Sequence, residues 1–165
     1  MKQLRLLILF GTLAVFLYLV NSSILSSEDN IKNGTVAYFE LAPVDPRSLI
    51  QGDYMTLEYT IERDANIAGI GAQDRGQLVV SLDEQLIARF ARLYNDSDTL
   101  ADNEIVINFY APNGRVRVGI DSFFFQEGQT NIFGTARYAE VRILEGGGVM
   151  LVHLADENFQ TIVPD

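Results

Sequence analysis

The chain has no cysteine, no tryptophan, a single histidine and only two lysines in 165 residues. Without cysteine there is no disulfide framework, no thiolate ligand and no lipid-bearing cysteine, so any folded domain must be held by its core alone. The one histidine, His153, lies between Val152 and Leu154 and reads as a surface or sheet-packing residue. A transition-metal site of the usual nitrogen and sulfur type is therefore not expected, and no metal or other cofactor is. Asn95-Asp-Ser-Asp98 superficially invites calcium but lacks the order and central glycine of an EF-hand loop. Beyond Lys2 the only lysine is Lys32, in a polar stretch, so an anchored β-rich peptidase with a Ser-Lys dyad would lack its base.

Positive charge is scarce as well. Residues 26–165 carry 10 Lys+Arg (the 12 of the chain less Lys2 and Arg5) against all 22 Asp+Glu, a net charge near −12. Such a surface is repelled by phosphate backbones and by anionic headgroups, which excludes nucleic acid as an expected partner and argues against docking through a basic patch.

What the chain does have is an apolar start. Leu4 to Val20 reads LRLLILFGTLAVFLYLV, with Lys2 and Arg5 at its head and Asn21-Ser-Ser23 behind it. Extended to Leu25, this run approaches the roughly 20 residues of a membrane-spanning helix, with the basic end held in the cytoplasm and the remainder exported. A cleaved signal peptide would have a shorter apolar core, of about 7 to 15 residues, and a small-residue cleavage site. Val20-Asn21-Ser22 fits such a site poorly. The expected organisation is an anchor over 1–25, a polar tether over 26–33 and one exported domain over 34–165.

That domain reads as mainly β. Thr35–Leu41 is β-branched and aromatic, and Pro43-Val-Asp-Pro46 excludes regular helix after it. Met55–Ile61 alternates, with Met55, Leu57, Tyr59 and Ile61 on an apolar face. Residues 64–76 read as a glycine-bearing loop with room for a helical turn, and Gln77–Leu82 as a strand. Residues 86–94 fit helix or strand, with a hairpin turning at Asp83-Glu-Gln85 preferred. Asn113-Gly114 between Ile105–Tyr110 and Arg115–Ile120 is a hairpin signal, because both residues tolerate positive φ. Ala136–Leu144 and Val149–Leu154 flank Gly146-Gly-Gly148 as a last hairpin. The expected fold is a transmembrane helix followed by one antiparallel sheet, barrel-like or sandwich, of about 7 to 9 strands.

Two charged neighbourhoods stand out. Asp45-Pro-Arg47 and Gly52-Asp53 bracket a short connection, in which Arg47 and the carboxylates pair structurally or, functionally, Arg47 clamps an anion while Asp53 acts as base or ligand. Phe123-Phe-Phe-Gln-Glu-Gly128 cannot bury all three rings on one side of a strand, so Phe124 must oppose Phe123 and Phe125. Either Glu127 with Gly128 makes a strand-ending turn, or Gln126 and Glu127 line a pocket with Arg137, Tyr138, Glu140 and Arg142. Cross-strand charge pairing explains Glu140 and Arg142 equally well.

Gly52-Asp-Tyr-Met-Thr-Leu-Glu-Tyr59 fits the motif of the GDYxxLxY family of bacterial membrane-anchored proteins, and the chain resembles that family further. Leu41-Ala-Pro-Val-Asp-Pro-Arg-Ser-Leu49 resembles its lead-in, while Phe123–Gly128 and Ala136-Arg-Tyr-Ala-Glu-Val-Arg142 resemble its FFQEG and ARYxExR segments. The hairpin after Leu82 lacks the family's glycine, and a tyrosine expected before ARY is Phe133 here. The resemblance implies an anchored, exported β-rich domain at the bacterial inner membrane, facing the periplasm, with genes for multi-pass membrane proteins as frequent neighbours. It supplies no activity. The motif positions it singles out are Asp45, Arg47, Gly52, Asp53, Tyr54, Leu57, Tyr59, Gln126, Glu127, Gly128, Arg137 and Tyr138. The expected function is a non-enzymatic accessory domain acting with an integral-membrane partner. The competing expectation is a periplasmic ligand-binding or hydrolytic domain using Arg47, Asp53, Gln126, Glu127 and Arg137.

Overall fold

The computed structural model describes residues 2–42, 54–70, 74–126 and 129–164. It divides into two compact units, Met1–Asn33 and Gly34–Asp165. The extended Pro43–Pro46 segment and the Gly52-Asp53 turn lie outside the described residues.

The first unit is one helix, α1 (Lys2–Asn33). It runs through the polar stretch 26–33 that the sequence suggests as a tether, because nothing there breaks a helix until Gly34. From Leu9 to Val20 its large apolar side chains are exposed, Phe10 at 62% and Tyr18 at 72%. Among the described residues no helix is long and apolar enough to cross a membrane.

The second unit is mainly β. Six strands, β1 (Thr35–Glu40), β3 (Arg75–Leu82), β4 (Ile87–Leu93), β5 (Glu104–Tyr110), β7 (Tyr138–Ile143) and β8 (Val149–Ala155), form a curled half-barrel in the order β5-β3-β4-β1-β7-β8. A two-stranded ribbon pairs β2 (Tyr54–Thr56) with β6 (Ser122–Phe124). The sheet is mixed, not purely antiparallel, since β1 runs parallel to β4, with Tyr38 opposite Ile87 and the Tyr38 N–H donating to the Leu86 carbonyl at 2.8 Å. Parallel neighbours need a long crossover, and the chain from 41 to 86 supplies it.

The ambiguous segment 86–94 is strand. Asp83 makes the turn without glycine: its carboxylate accepts the Gln85 and Ile87 N–H groups at 2.9 Å each, and Leu86 takes the positive φ of 63°. Such Asx-type bonding replaces what glycine gives elsewhere.

Two expected strands are cut short. Met55–Ile61 buries the anticipated face, with Met55, Leu57, Tyr59 and Ile61 all 5% exposed or less. Yet the strand ends at Thr56, and helix α2 (Thr60–Ile67) begins where the loop was expected only later. Ile61 and Ala65 are four apart and both buried, so the alternation passes into a helical face without changing which residues are apolar. Likewise Arg115–Ile120 is not a strand. The turn is as expected, with Asn113 at φ 57° and Gly114 at 76°, but the returning arm pairs with β5 only at Tyr110 and Arg117.

One core fills the concave side. Phe39, Leu78, Val80, Ile107, Val141 and Leu154 from the sheet meet Met55, Leu57, Tyr59, Ile61 and Ala65. The β7–β8 turn reaches the opposite edge: the Asn108 N–H of β5 donates to the Gly147 carbonyl at 2.7 Å, and its side-chain amide to Gly146 at 2.8 Å. Gly147 has φ 82°, and a Cβ there would lie 3.0 Å from Asn108 Oδ1, so close approach and backbone shape both require glycine. A short helix, α3 (Thr130–Phe133), precedes β7.

Candidate functional site

The polar centre of the domain is built on α2. Ile61 and Ala65 face the core, and Glu62 is drawn in with them to 3% exposure. Its carboxylate is fully engaged. Oε1 accepts the Val118 N–H at 2.8 Å; Oε2 accepts Arg117 Nη1 at 3.0 Å and, more weakly, the Tyr59 N–H at 3.5 Å. One turn on, Asn66 Oδ1 accepts the Val116 N–H at 2.8 Å. The Tyr59 hydroxyl donates to the Ile120 carbonyl at 2.6 Å. Residues 116–120 thus form a strap whose inward N–H groups bond to side chains of α2, which is why the arm after Gly114 does not complete a hairpin ladder. Val116 and Val118, each 1% exposed, pin the strap from below.

Burial pushes the Glu62 carboxyl above its usual range, while the Val118 N–H and the Arg117 guanidinium pull it part of the way back. Burial works against the Arg117 charge, but Glu62 and then Glu58, whose Oε1 lies 3.6 Å from Nη2, outweigh it and hold the guanidinium charged. Burial, with the Glu62 charge adding to it, also raises the Tyr59 phenol, which stays neutral and serves as a donor. Above this floor opens a cleft of about 440 Å³, lined by Glu58, Arg63, Asn66, Arg115 and Arg117.

Among the described residues, Tyr59 alone of the sequence-selected set belongs to this centre. Leu57 and Tyr59 are 1% exposed core residues, with Tyr59 edge-on to Phe39 at 5.5 Å. Tyr54 is exposed and sits opposite Phe124 on the ribbon, their rings 5.8 Å apart. Tyr54 of the first motif and Phe124 of the second are therefore neighbours, a fact that spacing alone does not reveal. Phe124 points outward at 75% exposure, as alternation demands, while Phe123 and Phe125 pack on buried Phe133 at 4.9 and 5.4 Å.

Gln126 is exposed, its N–H donating to Gln129 Oε1 at 3.2 Å. Arg137 is exposed and joins Leu41 only through its carbonyl, at 2.9 Å. Tyr138 stacks on Phe159 at 4.6 Å on the outer sheet face, beside Tyr38 and the Glu140–Arg142 ion pair of 3.2 Å. His153 is exposed on β8. Asp45, Arg47, Gly52, Asp53, Glu127 and Gly128 lie outside the described residues.

Sequence reading misses Glu62, Asn66 and Arg117. The available signal was Arg115-Val-Arg-Val118, whose alternation buries both valines and turns Arg117 toward a charged partner. Nothing in the spacing names Glu62 as that partner. Among the described residues no group of three or more histidines, cysteines or acids is placed to hold a metal ion.

The half-barrel with its motif ribbon is a GDYxxLxY-type domain. The family described as GDYXXLXY protein matches residues 16–154, most of the chain, and the chain belongs to it. No curated protein and no solved structure matches it.

Proposed function

We propose that the protein is a membrane-anchored, extracytoplasmic accessory domain that works with an integral-membrane partner. The observation that carries this reading is the apolar girth of α1. From Leu9 to Val20 exposed apolar residues occur on every side, including Leu13, Phe16, Leu17 and Tyr18, with no polar stripe to face water. A helix that is apolar all round belongs in protein or in lipid. Together with the sequence run from Leu4 to Val20, it is read as an uncleaved signal anchor in the bacterial inner membrane. Lys2 and Arg5 would remain cytoplasmic and 34–165 periplasmic.

The partner surface is the ribbon. Phe124 and Tyr54 form an exposed aromatic pair within the two family motifs, and Ile120 and Ile132 are exposed too. Aromatic residues are enriched where proteins meet. Cross-linking in membranes followed by mild-detergent pull-down should recover a multi-pass protein, and Phe124→Ser should abolish recovery without changing the unfolding midpoint. Release of the chain by alkaline carbonate, or recovery of the anchored monomer alone after cross-linking, would refute the reading.

The second reading, a periplasmic ligand-binding or hydrolytic domain at Arg47, Asp53, Gln126, Glu127 and Arg137, is favoured by one observation: the Tyr54–Phe124 pairing joins the two motif segments. Turnover of generic ester or phosphoester substrates that is lost in Asp53→Asn would support it. Its absence in the wild-type chain would dismiss hydrolysis.

A further inference from the structure

We propose that the cleft over α2 is a binding site for a small oxyanion, a carboxylate or phosphate group, gripped between Arg63 and Arg115. The two arginines stand on different walls, Arg63 on α2 and Arg115 directly after the Asn113-Gly114 turn. The walls are fixed relative to one another by the Asn66–Val116 bond at 2.8 Å and the Glu62 bonds to Val118 and Arg117 at 2.8 and 3.0 Å. A gap held this way is pre-organised, so a ligand need not meet the cost of ordering it.

The charge pattern points to an anion. Arg89, Arg92, Arg117 and Arg142 each have a carboxylate partner in the domain. Among the described residues, Arg63 and Arg115 are exposed and reach no carboxylate at ion-pair distance, nor do Arg75 and Arg137 elsewhere on the domain, although the chain has 22 acidic residues to 12 basic ones. Of these four arginines Arg63 and Arg115 face one cleft, so two guanidinium charges without a carboxylate among the described residues converge on one space. Their planar forks suit the two oxygens of a carboxylate or phosphate. The acids of the cleft, Glu58 and Glu62, are already engaged with Arg117 at its floor and so place the anion toward the rim, between Arg63 and Arg115.

The site is independent of the partner-binding ribbon, and its failure would leave the accessory reading intact. The test is a titration of the full chain in nonionic detergent with inorganic phosphate and, separately, with succinate, followed by NMR of the arginine side-chain N–H signals. A saturable shift at Arg63 and Arg115 is expected with at least one of the two anions. The double variant Arg63→Gln/Arg115→Gln should weaken binding by about tenfold or more, as loss of charge-assisted bonds would. Arg75→Gln, an exposed arginine of β3 outside the cleft, should change nothing. Soluble dihexanoyl phosphatidylglycerol and phosphatidylcholine separate the sources: saturation by the anionic lipid in place of the free anions assigns the group to a headgroup. No saturation with any probe overturns the site, as does equal binding by a double variant whose circular dichroism and unfolding midpoint match the wild type.

Discussion

Arg117 and Arg92 each hold two carboxylates, yet the two assemblies act oppositely. Arg117 meets Glu62 and Glu58 beneath the strap, and Arg92 meets Glu104 and Asp98 on the outer face of the sheet. The Glu62 side chain is 4% exposed and its carboxyl is pushed up by burial; Glu104 is pulled below its usual range, first by its bond to Arg92 and then by the Ala101 N–H. The chemical partner is the same in both cases, so access to water sets the sign. What makes the buried pair structural is its backbone bonds: Glu62 fixes Val118, whereas Glu104 reaches only the N–H of nearby Ala101.

The largest expected effect breaks the buried assembly. Glu62→Ala leaves the Val118 N–H without its acceptor and Arg117 with only the more distant Glu58, and should destabilise the domain by about 3–5 kcal/mol. Denaturant unfolding followed by circular dichroism measures this. A loss below about 1 kcal/mol would mean that the strap does not depend on Glu62. Next is Asn66→Ala, which orphans the Val116 N–H and should cost about 1–3 kcal/mol in the same measurement. Tyr59→Phe removes only the bond to Ile120, an expected loss of about 0.5–1.5 kcal/mol.

The smallest effect is the most discriminating, because its sign differs between the two sites. A carboxyl raised in the folded state gives stability that is complete below the ordinary glutamate value and is lost as pH rises through the folded one. Glu62→Gln should therefore remove a decline in stability on the alkaline side of that value. For Glu104, lowered in the folded state, the contribution is present above the ordinary value and lost as pH falls through the depressed one. Glu104→Gln should remove an acid-side loss, and the effect should shrink in high salt. Like signs in the two pH profiles would erase the distinction between the sites.

The burial alternation was legible wherever neighbours along the chain decide it. Met55, Leu57, Tyr59 and Ile61 are all buried as the pattern demands, and the rings of Phe123–Phe125 divide as alternation requires. The β3–β4, β5-to-strap and β7–β8 turns are all in place. Three features were not legible. Period 2 and period 3.6 coincide over the few residues from Tyr59 to Ile61, so the start of α2 was hidden. The parallel β1–β4 pairing depends on contacts between residues far apart in sequence, for which spacing carries no signal. The strap is shaped by hydrogen bonds from Glu62 and Asn66, about fifty residues upstream, and a local pattern cannot disclose them. The family resemblance singled out the segments that carry Tyr54 and Phe124 but not their pairing, and of the α2 cleft it marked only Tyr59.

The position of β1 in the strand order governs how the domain assembles. The β5-β3-β4 group, with β3 between its two successors, and the β7–β8 hairpin close between near neighbours in the chain, whereas β1 bonds to β4 on one side and β7 on the other. The first strand to be synthesised is thus the seam that joins two locally formed halves, and it stays unsatisfied until residues 138–143 arrive. Non-local pairing of this kind slows folding to milliseconds or longer. In pulse-labelled hydrogen exchange, the amides of 35–40 should gain protection later than those of 75–93.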